Sequence, residues 1–311
     1  MGAVSYREVA VKSALTRVQG MPFAWSLNPY TGCSHACTYC FARQYHALRG
    51  RDTGAGFDRE IEVKRNFLEV LRLELRRLRL RELVALGTGT DPYQPCEGRY
   101  RLTRGTLEAL IESPLPLIVI TKGTLVVRDI DLLVKLSRVV DVRICVSIGT
   151  IGADIARTAE PEAPPPGARL EAVRRMRAAG LHAGVLAAPI LPDLTDTDAS
   201  LEAVARAARE VDASFFSIRP LKLDPGVRPH YFAFLAEQFP ALLGRTEARF
   251  ADRVNPDRRY VDELESRVER IRARYGFADD RYEQDRRAQA PRAASAPTSA
   301  GREPAQLRLA I

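Results

Sequence analysis

A chain of 311 residues, 46% of them hydrophobic, can bury a full-sized core and reads as one large domain with a tail rather than two small domains. The first fifteen residues lack the apolar run of a secretory signal and no later run reaches the length of a bilayer-spanning helix, so a cytoplasmic chain with no membrane partner is expected. Five cysteines, three of them crowded between positions 33 and 40, argue against a disulfide framework and for metal ligation in a reducing compartment, while the net charge of +8 leaves nucleic acid open as a partner.

Apolar runs rich in Val, Ile and Leu alternate with segments of helical period, the pattern of repeated β–α units on a parallel sheet. Six strands are placed near 26–31, 83–88, 116–121, 141–148, 183–190 and 214–219, each followed by a helix. Between the first two, a helical run is predicted over 61–81, with Phe67, Leu68, Leu71, Leu75 and Leu78 on one face. Lys64, Arg65, Arg72, Arg76 and Arg79 form the other face, read as solvated helix in preference to a polyanion contact because Glu69 and Glu74 interleave them. Residues 159–169 form a Pro-rich loop after the fourth strand. In HYFAFLAEQF (230–239), Tyr231, Phe234, Leu235 and Phe239 are spaced like a buried helical face rather than a base-stacking platform. The expected organisation is an N-terminal extension (1–22), a barrel (23–240), a helical extension (241–283) and a disordered tail (284–311). The tail is poor in aromatic and β-branched residues, and residues 281–311 carry six Arg against Glu283, Asp285 and Glu303, three of the eight net charges.

The densest chemistry lies in SLNPYTGCSHACTYCFAR, where Cys33, Cys37 and Cys40 are spaced C-x3-C-x2-C directly after the first predicted strand. Three thiolates on one short loop can take three corners of an iron–sulfur cube and leave the fourth iron open to a cofactor or substrate. The competing reading is zinc, which needs a fourth ligand; His35 is badly placed on the tight loop, and Cys96 remains conceivable. Cys145, inside VRICVSIG, reads as a small core residue.

C-x3-C-x2-C with an aromatic residue, Tyr39, before the last Cys resembles the signature of the radical S-adenosylmethionine (SAM) superfamily. The resemblance implies a [4Fe–4S] cluster on Cys33, Cys37 and Cys40 and SAM chelated to its open iron. One-electron cleavage then gives methionine and a 5′-deoxyadenosyl radical that removes a hydrogen atom from the substrate. The fold implied is α/β, a partial (β/α)6 TIM-type barrel of parallel strands with its site at the carboxyl ends, in agreement with the six units counted from pattern. An electron donor such as flavodoxin or ferredoxin is implied as partner.

ALGTGTDPYQPCEG, VITKG, VSIGT and the Glu-Pro loop narrow the resemblance to the spore photoproduct lyase-related (SplB-like) branch, over roughly residues 20–220. In GTGTDPY (87–93), Thr88 and Thr90 offer hydroxyls, and the Asp91 carboxylate suits an ammonium group, by resemblance that of SAM; an ordinary turn is the alternative. Lys122 ends the third strand and could pair with the SAM carboxylate or stand in solvent; Ser147 could bond the ribose or nearby backbone. In the lyase a hydrogen-donating cysteine stands where this chain has Thr88, and a hydroxyl is a poorer hydrogen-atom donor than a thiol. Cys96 is therefore the candidate substitute, against the alternative of an incidental loop cysteine. Arg157, Glu160 and Arg169 flank the Pro-rich loop without an assigned role. The expected function is a radical SAM enzyme, lyase-like or transferase, with nucleic acid as first substrate guess. A non-catalytic iron–sulfur or zinc module supporting a nucleic-acid surface is the alternative, favoured if Asp91, Lys122 and Ser147 lie far from the cysteines.

Overall fold

The computed structural model describes residues 3–278. In chain order the strands are β1 (Ser5–Val9), β2 (Leu15–Arg17), β3 (Trp25–Leu27), β4 (Tyr30–Thr31), β5 (Glu60–Lys64), β6 (Val84–Leu86), β7 (Leu117–Thr121), β8 (Val142–Ser147), β9 (His182–Ile190) and β10 (Phe216–Pro220). The helices are α1 (Arg43–Ala47), α2 (Ala55–Arg59), α3 (Phe67–Arg77), α4 (Glu97–Tyr100), α5 (Leu102–Glu112), α6 (Ile130–Ser137), α7 (Ala153–Ala159), α8 (Pro166–Ala178), α9 (Asp198–Glu210), α10 (Arg228–Gln238), α11 (Pro240–Arg249) and α12 (Arg258–Arg274).

Strands β3, β6, β7, β8, β9 and β10 lie parallel in that order, with β2 antiparallel on the outer edge of β3. This is the expected six-unit α/β partial barrel. Period-two alternation divides its two faces. Val84, Leu117, Val119, Ile144, Val146 and Val185 join the main core under the helices. Ile118, Cys145, Leu186 and Phe215 pack together in a separate cluster, so Cys145 is core as expected. Helix α3 buries Phe67, Leu71 and Leu75 against that main core, and α12 packs on α9 and β10. Gly87, just past β6, has φ +95°, and a side chain there would meet the Ile120 carbonyl at 2.3 Å. Only glycine fits this strand end.

Several local expectations need correction. The first strand stops at Leu27 instead of 31: Pro29 has no N–H for a ladder, and the chain turns to enter a second, three-stranded sheet of order β1-β5-β4. The helix predicted over 61–81 starts only at Phe67, because Ile61 and Val63 alternate with Glu60 and Glu62 and form β5 in that sheet. Lys64 is accordingly not on a solvated helix face; its Nζ donates to the Asn28 carbonyl at 2.6 Å. The Pro-rich loop is shorter than 159–169, bounded by the end of α7 at Ala159 and by Pro166 opening α8 at a position where a missing N–H costs nothing. Residues 1–22 contribute β1 and β2, residues 241–278 contribute most of α11 and all of α12, and the tail expected at 284–311 lies outside the described residues.

Candidate active site at the carboxyl ends of the strands

The cysteine loop leaves β4 and runs into α1. Cys33 and Cys37 are buried and Cys40 is partly exposed, all three as free thiols. Burial pushes the Cys33 thiol well up, with Asp91, Cys40 and Cys37 adding to the rise. Burial likewise pushes Cys37 up to about 12, against the pull of the Lys122 ammonium. The three sulfurs therefore lie within electrostatic reach of one another, which is what a shared ligand group needs.

Three straps hold the loop. From α1, Arg43 donates to the Cys37 carbonyl at 2.9 and 3.2 Å and pairs with Asp58 at 2.7 Å. From the turn after α7, the Ala159 carbonyl accepts from Thr38 N–H at 3.0 Å, and Glu162 N–H donates to the His35 carbonyl at 3.3 Å. The third strap is the segment after β6. Thr88 Oγ1 lies 2.5 Å from Ser26 Oγ, Gly89 N–H donates to Asn28 Oδ1 at 2.7 Å, and Thr90 Oγ1 donates to the Gly32 carbonyl at 2.5 Å. Gln94, wholly buried, adds bonds to Gly32, Ser34 and Thr90.

Both Asp91 oxygens are taken by the protein. Thr121 Oγ1 donates to Oδ1 at 2.6 Å and Tyr93 N–H at 2.9 Å, while Lys122 N–H donates to Oδ2 at 2.6 Å with His35 Nδ1 at 3.4 Å. Burial disfavours the charge, but His35 and these donors outweigh it and hold the carboxyl at about 2. Three donors and the His35 ring surround this carboxylate, so Asp91 is a tie between the ends of β6 and β7 and the cysteine loop, and its bond to Tyr93 N–H is the turn considered as the alternative to an ammonium contact.

Behind Cys37 lies an ion network. Glu160 is bonded by Tyr39 OH and by Arg169 Nη2, and Lys122 Nζ stands 3.8 Å from it. The same ammonium sits 5.5 Å from the centre of the Tyr39 ring. Arg169 also donates to the Ser147 carbonyl at 3.0 Å, tying the end of β8 to the network. Burial acts to lower the Lys122 pKa, but Cys37 and Glu160 outweigh it and raise it. Lys122 is thus a partly buried cation facing a thiol, not a solvated lysine. Ser147 Oγ donates to the Ala188 carbonyl at 2.7 Å, the backbone alternative considered for it. Of the three flanking residues, Glu160 and Arg169 pair, and exposed Arg157 pairs with Asp154 instead.

Cys96 packs elsewhere, with Tyr30, Ile61, Val63 and Leu102 on the small sheet, and burial pushes its thiol up to about 12. Tyr231, Phe234 and Leu235 of α10 are core, as expected, and the cluster they build includes Cys37 and Tyr39, so this helix backs the cysteine loop. Gln94, Arg43 and the Glu160–Arg169 pair had no assigned function from sequence. Their one signal is position, Gln94 three residues after Asp91, Arg43 three after Cys40 and Glu160 in the Glu-Pro loop, and position alone does not say where a side chain reaches.

The donor set fits an iron–sulfur cube. Cys40 packs against the apolar cluster that holds Cys37 and also against the one that holds Cys33, and three thiolates on one loop can each take a separate iron of a cube. The Ser34 hydroxyl beside Cys33 is buried without a partner among the described residues, a donor suited to sulfur.

A family model described as the radical SAM superfamily matches residues 27–206. An uncharacterized protein of Mycobacterium bovis is 39% identical over 281 residues, 89% of this chain and 83% of its own. One of Methanocaldococcus jannaschii is 27% identical over 183 residues, 59% and 66% of the two chains. Among solved structures, spore photoproduct lyase complexed with dinucleoside spore photoproduct matches with TM-score 0.68 at 13% identity, covering 87% of this chain and 79% of the lyase. A radical SAM methyltransferase from Sphaerobacter thermophilus matches with TM-score 0.50 at 17% identity, covering 83% and 66%. At these identities the structural likeness is one of fold.

Proposed function

The chain belongs to the radical SAM superfamily and is a radical SAM enzyme, and from that premise we propose that Cys33, Cys37 and Cys40 hold a [4Fe–4S] cluster and that SAM binds beside it. The observation that carries this reading is the joint placement of three cysteines on one loop, Cys40 packed against the clusters of both Cys33 and Cys37, with the Lys122 cation at the end of β7 over the Tyr39 ring. Bound there, the pair would supply one-electron cleavage of the SAM sulfonium and a carbon radical able to take a hydrogen atom from the substrate.

The protein's share is binding and orientation. Lys122, set by Tyr39 and Glu160, offers a cation to the SAM carboxylate, and the hydroxyls of Thr88 and Thr90 with the backbone around Ser147 line the neighbouring strand ends. Asp91 holds this rim to the cysteine loop rather than contacting SAM itself. The Lys122 cation beside Cys37, with the end of β8 at Ser147 joined to the same network through Arg169, supports this over a non-catalytic metal module. Nucleic acid is the proposed substrate class, supported by the net charge of +8 and by the dinucleoside held by the lyase of similar fold. A small one-electron carrier such as flavodoxin or ferredoxin is the proposed partner.

The test is anaerobic reconstitution with iron and sulfide, reduction by dithionite with SAM, and chromatography for 5′-deoxyadenosine. Wild type should form it, and a variant with Cys33, Cys37 and Cys40 changed to Ala should not. Tight stoichiometric zinc without a cluster would overturn the reading.

A further inference from the structure

We propose that Gln94 is a positioning residue for Cys33, fixing the thiol's backbone before any metal arrives. Two peptide planes flank the Cys33 Cα, and the protein bonds both. The Gly32 carbonyl, on the preceding plane, accepts from Gln94 Nε2 at 3.1 Å and from Thr90 Oγ1 at 2.5 Å, while Cys33 N–H on the same plane donates to the Phe57 carbonyl at 3.0 Å. On the following plane, Ser34 N–H donates to Gln94 Oε1 at 3.1 Å. Holding both planes fixes φ and ψ of Cys33 and leaves only its side-chain torsion to find the ligand position.

The chemistry asks for an amide at this position. Its two donors and one acceptor span a carbonyl on one side of Cys33 and an N–H on the other, and its second donor bond, to Thr90 Oγ1 at 2.8 Å, orients the plane. A carboxylate lacks the donors and an aliphatic chain lacks both. Gln94 is fully buried, so these bonds do not compete with water. Cys37 does not depend on it, since Arg43 holds that carbonyl, and Cys40 N–H turns back to the Cys37 carbonyl at 3.3 Å. Cys33 stands furthest from its fellows in sequence, and it is the ligand held on both of its flanking peptide planes by one side chain. The meaning of that clamp rests on the cluster reading above; its existence rests on geometry alone.

The experiment uses the full chain as wild type, Gln94→Ala and the isosteric Gln94→Glu. In cluster-free protein under anaerobic conditions, each cysteine's alkylation rate by iodoacetamide is followed by mass spectrometry, with buried Cys145 as internal reference. Losing the clamp should speed alkylation of Cys33 roughly tenfold in Gln94→Ala, less in Gln94→Glu, which keeps the Ser34 acceptor, with Cys37 and Cys145 unchanged. After reconstitution, the cluster of Gln94→Ala should bleach faster under a chelator by a similar factor. Unchanged Cys33 alkylation overturns the proposal. So does a parallel rise at Cys33 and Cys145, which would make Gln94 a general stability residue. A wild type that takes up no cluster sinks the functional reading, and the alkylation rates still decide the clamp.

Discussion

Arg169 and Glu160 form a buried ion pair behind the cysteine loop, and the same guanidinium holds the carbonyls of Ser147 and Pro164, the latter at 2.6 Å. Breaking a buried pair from one side leaves an uncompensated charge, which costs more than the pair's net contribution. Arg169→Met should therefore lower stability by about 3 kcal/mol in urea denaturation at neutral pH, with Lys122 and Tyr39 relieving part of the cost. Adding Glu160→Gln to that variant should restore some of the loss. Additive losses would show that the two residues act independently.

Arg43 acts as a fork. It bonds the Cys37 carbonyl twice, the Thr53 carbonyl at 2.6 Å and Asp58 at 2.7 Å, with its side chain 2% exposed. A lysine offers one compact head and cannot reach all of these acceptors in one geometry. Arg43→Lys should destabilise the cluster-free protein by about 2 kcal/mol, read as a lower thermal midpoint, because buried carbonyls lose charge-assisted donors. A midpoint equal to wild type would remove Arg43 from the account of the loop.

Gly123 follows Lys122, and a side chain there would lie 2.3 Å from the Tyr93 carbonyl and 2.7 Å from Tyr93 Cβ. Backbone offers little room to yield, so Gly123→Ala should cost about 1 to 3 kcal/mol and weaken SAM binding by moving the Lys122 rim off the 91–94 segment. Gly167, where nothing lies within 4 Å, is the control: Ala there should change stability by less than about 0.5 kcal/mol. Calorimetry of both variants with and without SAM separates the two effects.

What sequence revealed of this fold follows from how each element is stabilised. Strands β6 to β10 are covered on both faces, so runs such as LIVIT and VRICVS announce themselves without alternation. Strand β1 has four of its five residues exposed and pairs with β5 more than fifty residues away, so neither periodicity nor local turns reveal it. In EIEVK the alternation is real but short, and the helical rhythm starting at Phe67 swallows it. The cysteines were legible from spacing because they lie on one loop; Gln94, Arg43 and Arg169 were not, because their bonds join segments distant in sequence or address backbone atoms that no side-chain pattern encodes. Asp91 marks the limit of motif reading: its own turn supplies Tyr93 N–H, but Thr121, Lys122 and His35, which also occupy it, come from other turns of the chain.

Lys64 gives the site region a pH signature. Burial first, and then the nearby Arg49, lower its pKa from 10.5 to about 8, only partly offset by Glu62. Between those two pH values the unfolded chain keeps a proton that the folded chain has released, so stability rises with pH across that window and is penalised by at most about 3 kcal/mol below it. Lys64→Met removes the penalty and also the bond to the Asn28 carbonyl, worth about 1 kcal/mol, so the variant should be the more stable protein at pH 7 by about 2 kcal/mol. The gap should close as pH climbs from 8 towards 10.5. Urea denaturation of both proteins along that range makes the comparison, and a difference independent of pH would mean that Lys64 keeps its proton in the fold. Because the Asn28 side chain also holds Gly89 N–H and the Ser26 hydroxyl, a lysine retained there at a cost to stability is one whose bond to Asn28 braces the third strap of the cysteine loop.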